Sequence, residues 1–286
     1  MFLGFAQYVT VRKDLALLES SLYSPEPMLL KDQVALVTGS GRGIGRAIAR
    51  LFASEGASIF LTARTYAELA STTAEINRSG RAAFATADLA SALDCARLVG
   101  AARKKFRRVD ILVNNAGHYG PVVPLEDYPL AEFDSVIAVH LRAAFLLSKL
   151  LLPEMYARGS GVILNISSLS AKSAFAWGSG YAAAKAGMLG LTRVTAAEAA
   201  RKGVRVNALC PGPVTETVMS KKLGEALAKK MGVRPKKQLE GFLNMLLQGR
   251  AQTADEIAQA ALFLCSDLSS AITGQSINVD GGAAFF

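Results

Sequence analysis

The chain has 286 residues, 51% hydrophobic and only 19% charged, with a net charge of +9 and a pI near 9.6. That balance supports a large packed core and argues against disorder. The basic residues form no single stripe and accompany no nucleic-acid motif, so the charge suits phosphorylated small molecules or an acidic protein partner better than DNA or RNA.

The elements follow in chain order. The first eleven residues, MFLGFAQYVTV, are apolar and precede Arg12 and Lys13, the reverse of a secretory signal. Residues 14–22 have the spacing of a short amphipathic helix, which SPEP at 24–27 ends. Residues 1–30 therefore read as an N-terminal extension. Three readings of it stay open: a loosely held arm, a stretch upstream of a start at Met28, or a membrane-touching helix. From residue 31 short β-branched or apolar runs recur at 33–38, 58–63, 82–86, 109–114, 161–167, 203–209 and 275–279. Helical spacing fills 43–56, 65–79, 90–106, 132–157, 179–201 and 253–267. This alternation predicts one α/β domain over 31–286, a Rossmann-type, doubly wound, parallel seven-stranded sheet with helices on both faces. VALVT and ILVNN are apolar throughout, as strands buried on both faces should be. Residues 215–249 break the rhythm and predict two or three short helices inserted after the sixth strand. They emerge at the sheet edge where ligands bind, as a lid. No apolar run reaches the roughly 20 residues of a membrane helix. Cys95, Cys210 and Cys265 lie far apart, odd in number and without C-x-x-C, which fits reduced thiols in a cytoplasmic protein.

Three motifs carry chemistry. TGSGRGIG at 38–45 fails both G-x-G-x-x-G and the P-loop pattern, but keeps Gly39, Gly43 and Gly45, with Gly41 between them. It sits at a strand-to-helix turn, where glycines admit positive φ and the helix start attracts phosphate. The next strand ends in Ala63 and Arg64, with no carboxylate to hold a ribose 2′-hydroxyl or repel a 2′-phosphate. Arg42 and Arg64 are suited to grip that phosphate, which favours NADP(H) over NAD(H). The competing reading is two solvated arginines. Third, Tyr181-Ala-Ala-Ala-Lys185 puts a phenol and an ammonium on one helix face. The charge beside it favours the phenolate, and such a tyrosine serves as general acid/base. Ser168 lies thirteen residues upstream at the end of a strand, at the same sheet edge. His118 and His140 are the only histidines, so no metal is expected.

TGSGRGIG, Asp88, NNAG at 114–117, Ser168, YAAAK at 181–185 and PG at 211–212 stand in the order and spacing of the short-chain dehydrogenase/reductases. The chain resembles that family over about 31–286, and 3-oxoacyl-acyl carrier protein reductases within it. The resemblance implies that Tyr181 protonates a carbonyl while nicotinamide delivers hydride, that Lys185 lowers the tyrosine pKa and holds the nicotinamide ribose, and that Ser168 orients the carbonyl. It also implies that Asp88 and Leu89 flank adenine, and that Ile44, Asn115, Ala116 and Gly117 line the cofactor. Pro211, Gly212 and Val214 would pack near the nicotinamide. His140 stands where the family has the asparagine of its proton relay, and Glu216 stands where it often has threonine. Thr215 and Thr217 flank Glu216, and which of them serves stays open. The expected protein is an NADPH-dependent reductase of a ketone or secondary alcohol. A 3-oxoacyl thioester leads, with acyl carrier protein or coenzyme A as its carrier. A sugar, polyol or other alcohol and a low-turnover NADP(H)-binding sensor are the alternatives. FLLSKLLL at 145–152 and the YAAAK helix imply a homodimer or homotetramer.

Overall fold

The structure, a computed structural model, describes residues 28–78 and 80–285. The readings made of residues 1–27 lie outside the described residues. One seven-stranded, all-parallel sheet organises the chain, in the order β3-β2-β1-β4-β5-β6-β7. Its strands are β1 (Val34–Thr38), β2 (Ser58–Ala63), β3 (Arg81–Thr86), β4 (Ile111–Asn114), β5 (Gly161–Ile166), β6 (Val204–Pro211) and β7 (Ser276–Val279). Each pairs in continuous register with its neighbours, for example Ala35 with Ile59 on one side and Ile111 on the other. The order reverses between β1 and β4, so a crevice opens there beyond the C-terminal ends of the strands.

Helices cover both faces because central strands such as VALVT are apolar on each side and fully buried. On one face lie α1 (Gly43–Ser54), α2 (Tyr66–Ile76) and α9 (Ala254–Cys265), where Ile48 and Phe52 of α1 share a core with Ile257 and Leu264 of α9. On the other lie α3 (Ala92–Phe106), α5 (Ala143–Arg158) and α6 (Ser179–Ala199), meeting through Leu98, Leu147, Leu151 and Ala196. Strong caps set several helix starts. Ser91 accepts from the Asp94 amide, and Thr253 and Glu256 form a reciprocal capping box. The three cysteines are buried and unpaired.

The segment expected as one helix at 132–157 is more particular. Helix α4 (Leu130–Ile137) runs into a π-helical turn at Ala138–Arg142 and then into α5. The continuous helix Leu130–Arg158 is long and apolar enough to cross a membrane. Its Ala143, Leu147, Leu151 and Met155 are instead packed in the core against the sheet. Residues 215–249 form two helices, α7 (Val218–Met231) and α8 (Pro235–Leu243), above the C-terminal edge of the sheet. They bury almost nothing of themselves: Ala228 is the one buried residue of α7, and α8 has none.

Candidate active site

The glycine turn after β1 is held by its neighbours. Thr38 Oγ1 accepts the amides of Asn115 (2.9 Å) and Ala116 (3.0 Å) and donates to the Val113 carbonyl. Asn115 Nδ2 donates to the carbonyls of Thr38 (2.8 Å) and Gly39 (3.2 Å), so this amide supports the turn from beneath. Gly39 and Gly43 have φ of +64° and +55°, which L side chains rarely adopt. Gly45 is required for another reason: a methyl there would overlap Asn115 Nδ2 and the Gly39 carbonyl oxygen. The α1 N-terminus has no side-chain cap and no acidic residue in its first turn. Its free N–H groups and positive dipole end therefore face the turn, the arrangement that takes phosphate.

Around Arg42 the structure corrects the sequence reading. No carboxylate stands at the end of β2 itself, but one arrives from the helix that follows. Glu68, on the first turn of α2, folds back over the loop, with its Cβ against the face of Gly41. Its Oε1 lies 2.9 Å from Arg42 Nη1. Arg42 is thus engaged, while Arg64 is exposed and makes no ion pair with a described residue. The spacing rule looks along the strand and does not see a helix that packs back. Asp88 is exposed, whereas Leu89 turns its side chain into the core, so only the Leu89 backbone is left to face a ligand.

Ser168, Tyr181 and Lys185 are brought together where β5 ends beneath α6. Ser168 hydrogen-bonds Tyr181 and also accepts the Ser170 amide at 3.1 Å. Lys185 is buried, its Nζ 2.6 Å from the Ile166 carbonyl and 5.5 Å from the Tyr181 ring centre. A buried polar chain fixes α6 to the sheet: Asn114 to Asn165 (2.9 Å), Asn165 to Thr192 (2.9 Å), and Ser167 Oγ to the Lys185 carbonyl (2.9 Å). Burial drives Lys185 down from 10.5 to about 7. Burial also raises Tyr181, only partly offset by the bond from Ser168. Burial thus sets the direction of the Tyr181 shift, and Lys185, held at about 7, is itself half neutral near pH 7. The phenol therefore stays protonated near neutrality.

His140 lies in the π-helical turn, whose widened ring turns it inward. Its Nε2 sits 2.8 Å from the His118 carbonyl oxygen and 3.1 Å from the His118 amide, its ring meets Tyr181 edge-on at 5.4 Å, and its buried Nδ1 has no partner. Burial, then the Lys185 charge, holds it well below the ordinary histidine range, so it is neutral. Gly117 is the one residue that can lie against it, since a Cβ there would run into the imidazole.

Sequence reasoning missed Tyr119 and Tyr128. Tyr119 stacks on Tyr181 with centroids 4.7 Å apart, and its hydroxyl presses on Gly178. Tyr128 packs against Gly180. Together they seat the first turn of α6, with Tyr181 held between Tyr119 and His140. The signal in the sequence was the pair of glycines in WGSGY at 177–181, at the start of the YAAAK helix.

A cavity of about 1000 Å³ opens over these groups. Ile44, Asn115, Gly117, His140, Ser168, Tyr181, Lys185, Pro211, Gly212 and Val214 line it, with α7 and α8 as its roof. Gly39, Gly41, Arg42, Gly43, Gly45, Arg64, Asp88, Leu89 and Ala116 lie outside it, nearer the β1 turn. Thr215 and Thr217 both line the cavity. Glu216 turns away to accept the Ala254 amide at 2.7 Å, which spends it on the start of α9. Thr217 caps α7 through the Ser220 amide and touches the face of Gly43, which leaves Thr215 with the freer hydroxyl. Among the described residues no three His, Cys, Asp or Glu side chains cluster as a metal site would need.

Comparison with known proteins gives this geometry its setting. A family profile described as enoyl-(acyl carrier protein) reductase matches residues 39–284. D-beta-hydroxybutyrate dehydrogenase of Cupriavidus necator is 39% identical over 259 residues, 89% of this chain and 98% of that protein. The chain belongs to the short-chain dehydrogenase/reductase family. Levodione reductase of Leifsonia aquatica is 35% identical over 254 residues, 88% of this chain and 94% of that protein. A levodione reductase crystal structure superposes with a TM-score of 0.85, covering 90% of this chain and all of that one. A variant of actinorhodin polyketide ketoreductase solved with NADPH also gives 0.85, at 33% identity, covering 89% of this chain and 98% of that one. This short-chain dehydrogenase/reductase is an oxidoreductase that acts on hydroxyl groups or the corresponding carbonyls.

Proposed function

We propose that the protein is an NADPH-dependent carbonyl reductase. The observation that carries the reading is the meeting of Ser168, Tyr181 and Lys185 beside the glycine turn, under one roofed cavity. The residues present suit the cofactor. The uncapped start of α1 and the glycine-rich turn offer N–H groups to a diphosphate, and exposed Arg64 with Arg42 offers charge to a 2′-phosphate. The polyketide ketoreductase solved with NADPH supports the same choice. Asp88, the Leu89 backbone, Ala116 and Gly117 complete the adenosine side, and Pro211, Gly212 and Val214 the nicotinamide side.

Bound there, NADPH supplies the hydride. The chain's own residues do the rest. Tyr181 Oη carries the proton that passes to the carbonyl oxygen, and its raised pKa keeps it protonated in advance. Ser168 Oγ donates to the same oxygen and fixes its direction. Lys185 places charge behind the phenol as its proton leaves. His140 acts as a positioning residue: its edge supports the Tyr181 ring, and its unpartnered Nδ1 is the atom left to join a proton relay toward Lys185.

A 3-oxoacyl thioester on acyl carrier protein or coenzyme A is the substrate reading that Lys221, Lys236 and Lys237 favour, since all three stand exposed at the cavity rim. Self-association is proposed through α5 and α6, which leave Phe145 and Val194 exposed. The test follows NADPH and NADH consumption with a panel of ketones, for wild type and Tyr181→Phe. Tight NADPH binding without reduction of any ketone would leave the sensor reading instead.

A further inference from the structure

The half of the cavity away from the nicotinamide side is built for hydrocarbon. Phe175, from the loop after β5, meets Phe242 of α8 edge-to-face at 5.9 Å, closing the wall between lid and sheet. Trp177 lines the same wall. Met219, Met231 and Met245 also line the cavity, yet are 37%, 54% and 62% exposed. Large apolar side chains left open inside a concavity are unusual for a packed protein and mark a ligand surface. Methionine adapts its shape to what it touches, and aromatic edges add contact to rings. Pockets of roughly 300 to 1,000 Å³ hold drug-sized ligands. A cavity of about 1000 Å³ therefore leaves room for a large body beyond any nicotinamide ring.

Charge and strain point the same way. A short hydroxy acid needs a buried cation for its carboxylate. Lys185 is buried but bound to the Ile166 carbonyl, and the other lining cations, Lys221, Lys236 and Lys237, are on the exposed rim. A polyol needs a polar partner for each hydroxyl; the buried polar groups lie at the Ser168–Tyr181 end, and the lid offers Ser220, Glu225 and Gln238 only at half-buried or exposed positions. Trp177 has φ +68°, a backbone state that bulky residues avoid. It is kept there because the next residue, Gly178, is clamped under the Tyr119 hydroxyl. Strain held in place beside a reacting group is a mark of function.

We propose that this chamber selects ketones carried on a bulky, uncharged hydrocarbon body, and that Trp177 is the specificity-determining residue that contacts that body. The proposal rests on the reductase reading for its reacting end, but the binding preference is testable without turnover. A ring ketone and a long-chain 3-oxoacyl thioester share this chemistry.

Trp177 is the only tryptophan in the chain, so its fluorescence reports the chamber alone. The full chain saturated with NADP+ cannot reduce a ketone, which makes a dead-end titration possible. The probes are 2-alkanones from 2-butanone to 2-undecanone, 2-decalone, the N-acetylcysteamine thioester of 3-oxooctanoate, acetoacetate and fructose. Binding should tighten by up to about fourfold per added methylene. 2-Decalone should bind far more tightly than acetoacetate or fructose, and kcat/KM with NADPH should follow that order. Phe242→Ala should weaken 2-undecanone about tenfold, by loss of apolar contact, while NADP+ binding and Tm report that the variant is folded. Preference for 2-decalone over the thioester assigns the body to a ring, and the reverse assigns it to an acyl chain; both support the proposal. A flat chain-length series, or acetoacetate or fructose binding more tightly than 2-decalone, overturns it while leaving the reductase reading intact. Tight, length-dependent binding with no carbonyl ever reduced upholds the chamber's selectivity and overturns the reductase reading.

Discussion

The two ends of the cavity are made differently. At the glycine turn the surface is backbone, locked by Thr38, Asn115 and the close approach of Gly45 to Gly39. At the lid the surface is side chain, carried on α7 and α8, which bury one residue between them. The first is stiff because each of its groups is spent holding another. The second is adaptable because its apolar groups have nothing to hold. One end suits a ligand that never changes, the other a ligand that differs from relative to relative.

The strongest test falls where the ends meet. Tyr181→Phe removes the proton donor but keeps the ring stacked on Tyr119. Ketone reduction should fall by roughly a hundred- to ten-thousand-fold, the usual worth of a positioned acid. NADPH binding, followed by nicotinamide fluorescence, should stay near the wild-type value. A variant retaining a tenth of the activity would remove Tyr181 from the chemistry.

Stability should separate the ends next. Gly45→Ala forces a methyl onto Asn115 Nδ2 and the Gly39 carbonyl. Overpacking of this kind costs about 1–3 kcal/mol, seen as a lower Tm and denaturant midpoint. Phe242→Ala, in the half-open lid, should move the midpoint by much less. Equal losses would show that the lid is as integral as the turn.

The sheet was legible because parallel strands must be apolar on both faces, and VALVT and ILVNN have no other use. Tyr181, Lys185 and Ser168 were legible because helix spacing and a strand end set them on one edge. What escaped was what depends on how elements lean on each other. Glu68 reaches Arg42 only because α2 packs back across the loop. Tyr119 reaches Tyr181 only because Gly178 leaves room. The sign of the Tyr181 shift depends on burial, which no four-residue spacing reveals. The exposed methionines of the lid take their meaning only from the concave side they line, which composition does not show.

pH gives a test of intermediate size at the seam. Burial holds Lys185 near 7, far below its ordinary 10.5, and holds Tyr181 above its own. As pH rises through about 7, Lys185 loses its charge while Tyr181 stays protonated. The kcat/KM for reduction, which reports the free enzyme, should therefore decline above about pH 7, by no more than about tenfold per unit. In Lys185→Arg, whose guanidinium keeps its charge, that descending limb should move to higher pH. A wild-type profile flat to pH 9 would show that another group sets the charge behind the phenol.

The smallest expected effect tests whether the stiff end is as finished as it looks. Arg42 is 61% exposed at its side chain and Glu68 30%, so their pair is a surface one, worth little in itself. Its importance is competition: a 2′-phosphate arriving at Arg42 meets a carboxylate already there. Glu68→Gln keeps the shape against Gly41 and removes the charge. NADPH should then bind about two- to fivefold more tightly, in keeping with the modest worth of such pairs, and the gain should shrink as salt is raised. NADH should change little, since it brings no 2′-phosphate to Arg42. If NADH instead binds more tightly than NADPH to wild type and loses affinity in Glu68→Gln, then Glu68 accepts the ribose hydroxyls. The carboxylate that NAD-binding sheets place at the end of the second strand would here be supplied from the helix, and the arginines would be solvated surface after all.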